Sequence, residues 1–180
     1  MNLKPQDIVV MLKMLCMGGS QWTYASLAYE LEMSSSQLHS AVKRALASRL
    51  GTKHYRQINP NVRNLREFLI YGLKYVFVPE RGEITRGIPT GYASPFLQDL
   101  FVSDSEPIPV WPHPDGEARG MSFSPLYKTA PAAALRDEGL YEFLALIDSI
   151  RGGRAREQKV ASDRLDQLLD HYASYIQPKY

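Results

Sequence analysis

The sequence predicts a mostly helical α+β protein: a helical N-terminal part, a strand-forming middle and two C-terminal helices. Three observations predict it. Apolar residues recur at helical spacing up to about residue 75. Nine of the twelve prolines then fall between residues 75 and 131, where they rule out long helices. Helical spacing returns after residue 138 and is broken only at Gly152-Gly153.

The elements follow in order. Pro5 suits a first helical turn, and Asp7 there favours the positive end of the helix dipole. Ile8, Met11, Leu12 and Leu15 give the first helix its apolar face, and Gly18-Gly19 end it. A second helix starts at Trp22 or Thr23, with Leu27, Ala28 and Leu31 on one side. Glu32-Met33 turn the chain. Ser34, followed three residues later by Gln37, has the pattern of a capping box for a third helix. Leu38, Ala41, Val42, Ala45, Leu46 and Arg49 share its inner side. The segment TKHYRQIN reads as a short strand or a loop. Asn61 caps a fourth helix with Leu65, Leu69 and Leu73 inward. In the middle, KYVFV and EITRGI are expected to pair as a hairpin. IPVW and EARGMSF are expected to form another, across an Asp115-Gly116 turn. Helices over 138–150 and 155–175 close the chain.

With 180 residues and 44% hydrophobic content, the chain suits one domain, or a small domain with a large extension. The expected division is 1–75 and 76–180. The net charge of +2 conceals a strong asymmetry. Residues 33–66 hold seven Lys and Arg and no acid. Residues 96–118 hold Asp99, Asp104, Glu106, Asp115 and Glu117 and no base.

Three helices with a tight turn between the last two describe a helix-turn-helix, whose third helix stands proud enough to enter the major groove. The outer face of that helix carries Ser36, Ser40 and Lys43, with Gln37 and Arg44 beside them. These five are the expected base readers: Gln pairs bidentately with adenine, and Lys or Arg with guanine. Ser34, Lys53, Arg56 and Arg63 are the expected phosphate contacts. The stretch YASLAYELEMSSSQLHSAVKRALASRL resembles the helix-turn-helix of bacterial winged-helix transcriptional regulators of the broad MarR-like kind. The resemblance rests on Leu27-Ala28, Leu31, Met33-Ser34, Ser36, Leu38, Ala41, Val42 and Leu46. It implies a winged helix-turn-helix acting as a sequence-specific regulator of transcription on double-stranded DNA, most simply a repressor. TKHYRQIN would then be a reduced wing. The segments LREFLIYGLKYVFVPERGEITRGIPT and LYEFLALIDSIRGGRARE resemble a group of uncharacterised bacterial proteins that carry the same N-terminal module.

Other chemistry is not expected. His39, His54, His113 and His171 are scattered, without metal-ligand spacing, and RGGRARE lacks a phosphate-loop pattern. Neither an enzyme, a cofactor nor a metal is expected. Cys16, the single cysteine, is expected as a small buried hydrophobe, and Trp22 as a core anchor. There is no signal-peptide core and no membrane-length apolar run, so a cytoplasmic location is expected. The tail stripes Leu140, Phe143, Leu144 and Ile147, and Leu165, Leu168, Leu169 and Tyr172, are expected to join a homodimer. The alternative reading is an antitoxin or adaptor that binds a protein partner through the acidic, proline-rich middle.

Overall fold

The computed structural model describes residues 1–101 and 107–176. It is an α+β structure. Helix α1 (Pro5–Cys16) is its inner post, with Ile8, Val9, Val10, Met11, Leu12 and Leu15 all fully buried. Gly18 and Gly19 take positive φ values of 60° and 82°, which end the helix and reverse the chain. Thr23 caps α2 (Tyr24–Glu30). A turn through Glu32, at φ 52°, leads into α3 (Ser35–Ala47). Strands β1 (Gly51–His54) and β2 (Gln57–Pro60) pair antiparallel, so TKHYRQIN forms a hairpin. The Asn61 side chain accepts from the Asn64 N–H and starts α4 (Val62–Glu67). A π turn (Phe68–Gly72) carries this rod into α5 (Leu73–Val76). Leu65, Leu69 and Leu73 are buried at four-residue spacing, which the wider π turn accommodates.

The middle departs from expectation twice. KYVFV forms no strand: Leu73 packs below Leu69, and the helix runs on to Val76. The second expected hairpin does place two strands, β4 (Pro109–Pro112) and β5 (Ala118–Phe123), but they pair parallel. Both lie antiparallel to β3 (Arg81–Pro89), which is long enough to take β5 along Arg81–Gly87 and β4 along Gly87–Pro89. Three strands that each pair with both others form a closed barrel. Such closure needs bare backbone. A Cβ on Gly87 would lie 2.0 Å from the Trp111 carbonyl oxygen, and one on Gly120 2.1 Å from that of Ile108. Within the acidic stretch, Pro109, Val110 and Trp111 are core, while Asp99, Asp115 and Glu117 are exposed. Asp104 and Glu106 lie outside the described residues.

Helix α6 (Ala130–Leu135), too short to show a helical repeat in the sequence, precedes α7 (Glu138–Gly152) and α8 (Ala155–Ile176). Gly153 lets α8 fold back on α7: Arg164 meets Glu142 at 3.0 Å, and the Phe143 and Tyr172 rings lie 5.4 Å apart. The opposite side of α8 meets α4, where Arg66 bonds Asp166 and Asp170. The expected dimer seam is therefore internal. Leu140, Phe143, Leu144, Ile147, Leu165 and Leu169 are buried in the chain's own core, and Leu168 and Tyr172 are half-buried against it. Their apolar stripes are satisfied by α1, α4 and each other. The same hydrophobic cluster contains residues from α1, α3, the barrel, α7 and α8, so residue 75 does not separate two cores. Cys16 packs half-buried against Tyr172, and burial pushes its thiol far above the ordinary range.

Polar side chains fasten these layers together. Asp148, buried on α7, accepts hydrogen bonds from Thr90 Oγ1 (2.7 Å), Trp111 Nε1 (2.6 Å) and Arg151 Nη1 (2.7 Å). Arg151 also donates through Nε to the Phe77 carbonyl at 2.8 Å. Burial pushes the Asp148 carboxyl up from its usual value, and Arg151, Thr90 and Trp111 oppose that shift. Removing one partner of such a buried pair strands the other charge, typically at about 3–5 kcal/mol. Asp148→Ala should therefore lower the unfolding free energy from urea denaturation by about 3–5 kcal/mol, whereas Asp163→Ala, which removes an exposed pair with Lys159, should lower it by no more than about 1 kcal/mol. Equal effects on urea denaturation would contradict this assignment.

Candidate nucleic-acid interface

The outer face of α3 is built by a rotation of about 100° per residue. Leu38, Ala41, Val42 and Ala45 are buried. That burial turns Ser36, Ser40 and Lys43 outward, and all three are exposed. Ser34 and Gln37 cap the helix reciprocally: Ser34 Oγ accepts from the Gln37 N–H at 3.1 Å, and Gln37 Oε1 accepts from the Ser34 N–H at 2.9 Å.

Two expected base readers are corrected by this geometry. Arg44 does not stand on the open face. Its guanidinium grips Asp7 with Nε at 2.8 Å and Nη2 at 2.6 Å, and Asp7 is 0% exposed. The Asp7 hydrogen bonds push the Arg44 pKa up from its ordinary value. Gln37 is half-buried with its carboxamide oxygen engaged in the cap, so pairing bidentately with adenine would require it to share that oxygen with the Ser34 N–H or give up the cap.

The expected phosphate contacts divide similarly. Lys53 on β1 and Arg56 in the hairpin turn are exposed, as is the Ser34 hydroxyl. Arg63 is exposed on α4 beside Glu67, 3.9 Å away. Among the described residues, no hydrogen bond or ion pair occupies the side chains of Lys43, Lys53 or Arg56. Lys43 and Lys53 share a concavity of about 320 Å³ between α3 and the hairpin. It continues past Lys53 into a second one of about 710 Å³, which Arg56 also lines. Neither wall contains an acid, and neither contains Arg63.

Three aromatic residues of this groove were missed as site residues. Tyr24 stacks on His39 with centroids 3.6 Å apart and planes at 15°, and Trp22 meets Tyr24 edge-on at 5.3 Å. Trp22 is half-buried and lines the groove as well as packing on the core. The rings themselves were visible in sequence. Their alignment depends on how α2 crosses α3, which spacing alone does not give.

Among the described residues, no group of three or more His, Cys, Asp or Glu is placed to hold a metal ion, and no helix is long and apolar enough to cross a membrane. The chain matches no family model, no curated protein and no solved structure.

The adjacent cations Lys43 and Arg44 should respond oppositely to mutation. Arg44→Ala leaves the Asp7 carboxylate buried without its cation and should cost about 3–5 kcal/mol in urea denaturation. Lys43→Ala, on an exposed face, should stay within about 0.5 kcal/mol of the parent. An unchanged stability for Arg44→Ala would return that side chain to the open face.

Proposed function

We propose that the chain is a sequence-specific double-stranded DNA-binding protein that regulates transcription, acting as a repressor by occupying its site. The observation that carries this reading is the open face of Ser36, Ser40 and Lys43 on α3, set beside a hairpin whose Lys53 and Arg56 continue the same acid-free surface. In this reading α1–α3 and the β1–β2 hairpin form a winged helix-turn-helix. Helix α3 enters the major groove, where the two serines permit close approach and Lys43 reaches guanine O6 or N7. The N–H groups of the first turn of α3 and the Ser34 hydroxyl face a phosphate. Lys53, Arg56 and Arg63 neutralise backbone charge on either side. Binding and release suffice for this role, with no covalent step.

Homodimerisation remains part of the proposal on the spacing argument alone: two recognition helices one DNA turn apart, about 34 Å, read a longer site than one. The seam would have to be a surface other than the α7–α8 stripes.

Fluorescence anisotropy against genomic fragments over a salt series tests the reading. Four to six phosphate contacts per subunit give a log–log slope of about −4 to −5. Lys53→Ala and Arg56→Ala should each weaken all sequences alike and shallow the slope by about 1. Lys43→Ala should cost about 1–3 kcal/mol at the preferred site and relax base preference there. A flat salt response would exclude this mode of binding.

A further inference from the structure

The groove between α3 and the hairpin holds more than contacts to a regular duplex require. Phosphate neutralisation calls for cations, and base reading calls for side chains that reach into a groove. Neither calls for a cluster of aromatic rings. Yet Trp22, Tyr24 and His39 line this concavity in ring-to-ring contact, and Lys43, Lys53 and Arg56 flank it. Stacking rings between cations is the arrangement that holds unpaired nucleotides, because every base has a π face and every linkage a charge. His39 is exposed and stacked on Tyr24, so one stacked pair is already built and ends in an accessible imidazole, with Trp22 edge-on behind it.

A second observation comes from the hairpin tip. Tyr55 takes φ 53°, a left-handed conformation that bulky residues rarely adopt, and its residue is 89% exposed. A two-residue hairpin turn favours Gly, Asn or Asp at such a position. The Tyr55 ring meets His54 edge-on at 4.8 Å, and the strained residue is otherwise held out in solvent next to the groove-lining Arg56.

We infer that the DNA this chain prefers is a duplex adjoining an unpaired strand. Helix α3 sits on the duplex, Tyr55 stacks on the first unpaired base where the strands part, and the free strand runs through the groove over His39, Tyr24 and Trp22. This rests on the duplex-binding reading above and adds the structural class of its substrate.

The test is anisotropy with the full chain and three labelled DNAs: a blunt duplex, the same duplex with an unpaired tail on either the 5′ or the 3′ side, and the tail strand alone. One tail polarity should bind about tenfold tighter than the blunt duplex, as expected for one stacked base. His39→Ala and Tyr55→Ala should each reduce that advantage at least about threefold while leaving blunt-duplex affinity within about twofold of the parent. Circular dichroism checks that both variants fold as the parent does. Equal affinity for blunt and tailed DNA, with the blunt complex still salt-dependent, overturns the inference and leaves the duplex reading standing. Variants that weaken blunt and tailed DNA equally overturn it too. Absence of binding to any of the three DNAs overturns both.

Discussion

The buried carboxylate of Asp148 is the constraint on which the rest of the fold depends. A charge removed from water has to be matched by donors within hydrogen-bond reach. Here the donors come from the end of β3, from β4 and from the next turn of α7, and Arg151 reaches on to the segment after α5. None of these segments can shift far without stranding the ion. The closed barrel is thereby fixed to α7, and α7 becomes the reference for what packs on it.

From α7 the constraint passes to the N-terminal helices through two further ionic links. Asp137, at the N-terminus of α7, accepts from Lys13 of α1 at 2.7 Å, and Lys13 also meets Glu30 at the end of α2. Asp7, one turn from the start of α1, then holds Arg44 of α3. Each link replaces hydration with a defined partner, so each contributes more to a unique arrangement than to net stability. Their sum sets the rotation of α3 about its own axis. Arg44 is drawn inward beside Ala41 and Ala45, whose small side chains leave room for it, and Lys43, about 100° away, must face out. The open face of α3 is the complement of an ion pair beneath it.

The same logic separates what was legible in the sequence from what was not. Features fixed within four residues were readable: the Ser34–Gln37 box, the Asn61 cap, the Gly18-Gly19 reversal and the bounds of α7 and α8. Ser36, Ser40 and Lys43 were readable as exposed because the inner face of α3 was so plainly apolar, and Lys53 and Arg56 because unpaired charges in a short polar segment stay in water. Features that join distant residues were not. Arg44 and Asp7 are 37 positions apart. An acid on the buried side of α1 was nevertheless a signal that a cation must come to it. The strands β4 and β5 were found but expected as an antiparallel hairpin, because an Asp-Gly turn is a local signal and the pull of β3, which sets them parallel, is not. The tail stripes were found but sent to a second subunit, since an apolar face carries no address. Only the assembled core shows that α1, α4 and α7 already fill it.

The extension also acts directly on the turn that aims α3. Thr129 Oγ1 donates to the Leu31 carbonyl at 2.7 Å, and Arg136 donates to the Glu30 carbonyl and to Glu32 Oε1. Glu32 is the residue whose positive φ bends the chain between α2 and α3. In a free-standing three-helix module, such a turn is held only by the helices it joins. Here it is held from outside, by residues about a hundred positions later. Thr129 and Arg136, at the two ends of α6, thus brace the angle between α2 and α3, and with it the walls of the groove where Tyr24 meets His39. Any movement of α6 relative to α1 would be felt first at that turn, because the hydrogen bonds of α6 end on its carbonyls. The N-terminal helices and the extension are one mechanical unit, and the α2–α3 turn is where the two meet.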